Sequence, residues 1–296
     1  MAPSPAPDFR LSQTAPRDPP RRLVAVGLAA SFLLAGFLFT VLLYAGVTGR
    51  LFGDAPPDIV ASAAIQAGCS LLAFGVLTWA VGLRAARLSP ADLRWVPGGG
   101  RGFPKGLGFG ALPALVIMVL GVLTAGAAWS ADGGTATEWF SNLTGLLALL
   151  GPAALAEEVI FRGLPLVILA RALGRWPAVV GLAILFGAAH LFNPDITVIG
   201  LVNIVLAGVF LGLVFYLPGG LWTATGAHLG WNLTLASLAA PVSGLPLPVP
   251  GLDYAPGSPL WLTGGAFGPE GGVLASGVLL VAIGMVARIL AKETQA

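Results

Sequence analysis

The chain has 296 residues, 56% of them hydrophobic and 9% charged, with a mean hydropathy of +0.89. An average soluble domain carries roughly 25% charged residues, and 15 basic plus 13 acidic side chains cannot cover a water-facing surface of this length. A soluble globular chain and a disordered one are excluded, and so is nucleic-acid binding, because no basic cluster interleaves with aromatic residues.

In chain order, residues 1–22 form a polar tail rich in Pro and Arg, expected to be disordered and cytoplasmic. Residues 23–291 are expected to form a single transmembrane helical domain. Its apolar runs are 23–47, 59–83, 106–129 (with Pro113 as a kink point), 142–173, 177–192, 197–217, 220–240 and 271–290. The first run is too long for a signal-peptide core and reads as a retained helix. Cys69 lies inside the second and reads as a small buried hydrophobe. The fold class expected is all-α: a polytopic membrane helix bundle with about eight transmembrane helices.

Charge placement orients that bundle. With the N-terminus inside, 13 of the 15 basic residues fall on inner segments, Arg50 falls outside and Arg162 lies within a span. Both termini are therefore expected on the cytoplasmic side, in a multi-pass protein of a bacterial plasma (inner) membrane. Residues 84–105 form a basic cytoplasmic loop. Residues 241–270 form a Pro/Gly-rich outer loop, with Trp261 and Phe267 as candidate interfacial anchors. A loop of that length suggests a lid or re-entrant segment, and an ordinary surface loop is the plainer reading.

Ionisable groups at membrane depth cost roughly 2.5–3.5 kcal/mol each on insertion scales, so they mark function by default. Three motifs carry them. In Glu157-Glu158-x-x-x-Arg162, Glu158 and Arg162 lie four apart on one helix face and can pair. Glu157 points about 100° away and is left without a local partner, free to take a proton from water. Phe186-x-x-x-His190 and His228-x-x-x-Asn232 follow on later spans. His228 and Asn232 share a helix face and can serve one ligand or one developing oxyanion. The protein's two histidines both lie in these motifs. Glu157, His190, His228 and Asn232 on three helices are read as one shared site. A carboxylate and two imidazoles are ordinary zinc ligands, and the same set can activate a water without metal. No His-Glu-x-x-His and no Gly-x-Ser-x-Gly pattern is present, so a zincin arrangement is excluded and nucleophilic catalysis is weakly supported.

The three motifs, in this order on successive membrane helices, resemble those of the CAAX-protease and bacteriocin-processing (CPBP, or Abi) family, whose eukaryotic members are the Ras-converting CAAX endopeptidases. The resemblance covers about residues 140–240; spans one to three, the tail and the outer loop carry no matching motif. It implies an intramembrane endopeptidase acting on a peptide or protein substrate within membrane lipid. It makes Glu157 the general base, His190 the holder of the water or metal, and His228 with Asn232 the support of the tetrahedral intermediate. Glu158 and Arg162 become structural or substrate-orienting. Zinc is a candidate cofactor, with Glu157, His190 and His228 as its ligands. Two other readings stand beside the protease: a non-catalytic scaffold or bacteriocin-immunity-type protein on the same fold, and a proton-coupled transporter. The lack of internal repeats weakens the transporter.

Overall fold

The computed structural model describes residues 18–295 apart from 54, 56 and 96–98. Most of the expected tail, residues 1–17, lies outside the described residues. The rest is overwhelmingly helical. Helix α1 is Arg22–Phe52, α2 is Ile59–Leu77 with a π-helical continuation to Ala85, and α3 is Gly102–Ala125. Helices α4 (Ala136–Phe161), α5 (Leu164–Leu173), α6 (Arg175–Ala189), α7 (Val198–Val214) and α8 (Leu221–Ser237) follow. A short α9 (Leu260–Thr263) and a long α10 (Val273–Gln295) complete the chain.

Among the described residues, four helical segments are long and apolar enough to cross a membrane: 22–52, 59–85, 102–125 and 273–292. The run at 142–173, expected as one span, is two helices. Gly163 ends α4, and Pro165 in the first turn of α5 cannot continue the hydrogen-bond ladder of the preceding helix. The run at 106–129 ends as helix at Ala125, where Gly126 takes the left-handed cap conformation. Residues 128–130 then pair antiparallel with 253–255, forming a two-stranded ribbon (β1 and β2) that composition did not foretell.

Local chemistry starts the helices. Thr135 and Glu138 form a reciprocal capping box at the head of α4. Asp58 accepts from the Ala61 N–H and Thr197 from the Gly200 N–H at the heads of α2 and α7. The far ends are satisfied over long range. The Trp129 and Trp139 indoles donate to the carbonyls of Leu238 and Ser237 at the end of α8. Arg94 donates to the carbonyls of Phe215, Tyr216 and Leu217 beyond α7. The basic loop is thus docked onto the bundle at Arg94.

The tightest helix pair is α3 with α8. Gly102, Gly106 and Gly110 recur every fourth residue on α3 against Thr223 and Ala227 of α8, while Gly226 and Gly230 of α8 lie against Phe103 and Leu107 of α3. A methyl group at Gly110 would overlap the Ala227 carbonyl, and one at Gly230 would overlap the Leu107 carbonyl. Without side chains between them, the two backbones lie directly against one another. This contact sets the position of α8, which carries two site residues. Gly110→Val is expected to cost about 3 kcal/mol or to prevent assembly, because the obstructing atoms are backbone. Gly108→Ala, where nothing lies within 4 Å, is expected to be silent. Thermal unfolding in detergent distinguishes the two.

The segment 241–270 is only partly a surface loop. Trp261 is exposed, as an interfacial anchor must be, but Phe267 is fully buried against Gly200 and Gly244. The anchor reading of Phe267 is corrected: the glycines leave a slot, and the ring gains more from filling it than from the interface.

Candidate active site

The site is built near the C-terminal ends of α4 and α6 and on the middle of α8. Near the C-terminal end of α4, Glu158 is fully buried and its Oε1 accepts from Arg162 Nη1 at 2.8 Å, as their spacing predicts. The same Oε1 accepts from His228 Nδ1 at 2.9 Å. Arg162 spends a further donor on the Gly208 carbonyl of α7, at 3.0 Å. One ion pair therefore ties α4 to both α7 and α8.

His190 caps the end of α6. Its Nδ1 lies 2.7 Å from the Phe186 carbonyl, one turn back. Helix α6 stops here, and the His190 backbone N–H turns to the Gly187 and Ala188 carbonyls instead of that of Phe186. The Phe186 ring packs against the His190 and His228 rings, with the Arg162 guanidinium 4.6 Å from its centroid. The spacing Phe-x-x-x-His thus supplies both the acceptor and the packing partner for the imidazole.

These partners assign the tautomers. A carbonyl and a carboxylate can only accept, so both histidines carry a proton on Nδ1, and as neutral imidazoles they present the Nε2 lone pair. Both lone pairs turn toward Glu157, whose Oε2 lies 4.0 Å from His190 Nε2 and 3.8 Å from His228 Nε2. That oxygen is buried and makes no hydrogen bond with the described residues. Three acceptors facing a common gap require a donor between them. One water reaches two acceptors about 4 Å apart at ordinary hydrogen-bond length.

Zinc was the other expected occupant. Ligands on a tetrahedral zinc at about 2.0–2.2 Å stand roughly 3.3–3.6 Å from one another. Among the described residues no group of three His, Cys, Asp or Glu side chains is gathered so as to hold a metal ion. Glu157 Oε2 stands 3.8–4.0 Å from the two imidazole Nε2 atoms, wider than tetrahedral zinc ligands stand from one another.

Asn232, one turn after His228 on α8, lines the same space. The Glu157 side chain is about one-third exposed, and it opens onto a cavity of about 520 Å³, in the range that takes a sizeable ligand. Its wall on the α1 and α2 side is mixed, with Phe37, Val41 and Ala67 beside Tyr44, Gln66 and Ser70. Helices α1 and α2, which carry none of the three motifs, therefore supply a large part of the cavity wall.

Sequence reasoning missed Glu270. Assigned by charge to the outer loop, it instead reaches a small cavity of about 30 Å³ shared with His190, His228 and Asn232. It accepts from Trp231 Nε1 at 2.8 Å and from the backbone N–H and hydroxyl of Ser243. Burial raises its carboxyl above the usual carboxylate range, and these donors work against the rise. The available signal was an acid, one of two with Asp253, in a segment dominated by Gly, Pro and apolar residues.

Residues 139–234 match the family model described as "Type II CAAX prenyl endopeptidase Rce1-like". The match covers about a third of the chain and contains all three motifs, so the resemblance to CAAX proteases is borne out. No curated protein and no solved structure matches the chain significantly.

Proposed function

We propose that this protein is an intramembrane endopeptidase that hydrolyses a peptide bond with water activated by Glu157. One observation carries the reading. An unpartnered carboxylate oxygen and two imidazole lone pairs face one gap, at the end of a largely apolar cavity within a membrane-type bundle.

The steps follow from the donors and acceptors. A water in the gap donates to Glu157 and to an imidazole Nε2. As its oxygen attacks the scissile carbonyl carbon, its proton passes to Glu157. The carbonyl becomes an oxyanion, and the Asn232 amide is the donor on hand for it. Breakdown of the tetrahedral intermediate releases the amine, which takes the proton from Glu157. In this tautomer His228 is a lone-pair partner of the water, with its Nδ1–H committed to Glu158. The apolar surroundings strengthen each of these interactions relative to bulk water.

The short apolar helices α6 and α7 lie between the longer spans in sequence. Together with α8, and with α4 and α5 as one broken run, they support an eight-run bundle with both termini cytoplasmic, by the distribution of Lys and Arg. A plasma membrane and a substrate peptide presented from the lipid suit this arrangement.

The test is cleavage of a membrane-anchored peptide library by the purified full chain in nanodiscs, read by mass spectrometry. The wild type is expected to cut. Asn232→Ala is expected to lower kcat by about 100- to 1,000-fold with KM little changed, the usual loss for one oxyanion donor. No cut by the wild type overturns the reading.

A further inference from the structure

We propose that Glu270 is a positioning residue that holds the 241–247 turn as the substrate-facing wall of the site. The turn receives an aliphatic side chain next to the scissile bond. This inference rests on the endopeptidase reading.

The turn is fastened from both sides. Val242 and Leu245 bridge each other, N–H to carbonyl, at 3.0 and 2.9 Å. Ser243 and Gly244 both take positive φ, +49° and +85°, a conformation that the short contacts of this turn must maintain. Glu270 accepts the Ser243 N–H and hydroxyl. The Phe267 carbonyl accepts the Gly244 N–H at 2.9 Å. From the opposite direction, Asn193 donates to the Ser243 carbonyl at 2.8 Å. Asn193 sits three residues after His190, so the turn is tied to the helix end that carries the site histidine.

Glu270 is itself fixed. Asn203, buried on α7, donates from Nδ2 to the carbonyls of Glu270 and Gly272 at 2.7 and 2.8 Å. The other Glu270 oxygen holds the Trp231 indole, one residue before Asn232. A single carboxylate thereby couples the turn to α8 and to the oxyanion donor. A buried carboxylate carries a desolvation penalty that an apolar residue would avoid, and here it is met by three donors at a fixed geometry. What that geometry presents is chemical: Val242, Leu245 and Leu247 line the large cavity alongside Glu157 and His190. These aliphatic side chains select by size and exclude water from the reacting carbonyl.

The experiment uses the full chain in nanodiscs, with Glu270→Gln and Leu245→Ala. Glu270→Gln keeps the volume but turns an amide NH2 toward one of the donors on Ser243 or Trp231. Hydrogen exchange of the peptide spanning 241–247 is expected to quicken about tenfold in Glu270→Gln and to stay unchanged in Leu245→Ala. With the membrane-anchored library varied beside the cut, Glu270→Gln is expected to raise KM about tenfold with kcat within about threefold. Leu245→Ala is expected to shift preference toward a bulkier residue by about tenfold. Unchanged exchange in Glu270→Gln overturns the positioning role. Quickened exchange with unaltered KM and preference overturns the substrate wall. A fall in kcat alone overturns the positioning role in favour of a part in the chemical step. A wild type that cuts nothing sinks the endopeptidase reading and the substrate wall with it, while the exchange result still decides whether Glu270 holds the turn.

Discussion

Glu157→Gln is expected to lower peptide-bond cleavage by about 100- to 10,000-fold, the usual contribution of a positioned general base. Gln matches Glu in volume and fills the same wall of the cavity, but its amide takes no proton from water at any working pH. It also places an NH2 donor within reach of one imidazole Nε2, closing the gap that otherwise needs a water. The fold should not notice. Glu157 is about one-third exposed to the cavity and its Oε2 makes no hydrogen bond with the described residues, so no buried network is broken. Thermal unfolding and detergent-solubilised size should match the wild type. Full activity in this variant would sink the water-activation mechanism. In the cell, a phenotype retained by Glu157→Ala/His190→Ala would return the protein to the scaffold reading.

Arg162→Leu is expected to destabilise the protein by about 3–5 kcal/mol, the range for removing one partner of a buried ion pair. Arg162 is 2% exposed and Glu158 is fully buried. Loss of the guanidinium strands the carboxylate with only His228 as donor and breaks the bond to the Gly208 carbonyl of α7. The double variant Glu158→Leu/Arg162→Met removes both charges and is expected to regain most of the stability. Its activity should stay down by roughly 10- to 100-fold, because nothing then holds the Nδ1 proton of His228 or the aim of its ring. Denaturation and cleavage measured side by side separate the two roles of the pair. If the double variant recovers cleavage together with stability, Glu158 acts on the fold alone.

Much of this site is legible along the chain because its elements are local. A pair four residues apart on a helix must share a face, and Glu158 with Arg162 does. Glu157, one residue earlier, is turned away and left without a partner by the same geometry. Polar residues within apolar runs are few here, so Glu157, His190, His228 and Asn232 stand out from composition. The Gly102, Gly106, Gly110 series repeats every four residues, but that it seats α8 is seen only from the partner helix.

Other features depended on contacts distant in sequence. Hydropathy marks apolar runs but not where a helix stops, so 142–173 broke at Gly163 and 106–129 ended at Ala125. Charge assigned Glu270 to the outer side, yet Trp231 and Ser243 draw it inward, because a carboxylate with three donors can be buried where an unpaired one cannot. The identity of the site's residues follows from hydropathy and helix period, which act within a few residues. Their tautomers, the cavity that α1 and α2 complete, and the turn that Glu270 holds come from side chains meeting across tens to hundreds of residues. No local period encodes such meetings; they are selected by which buried donors and acceptors can be satisfied together.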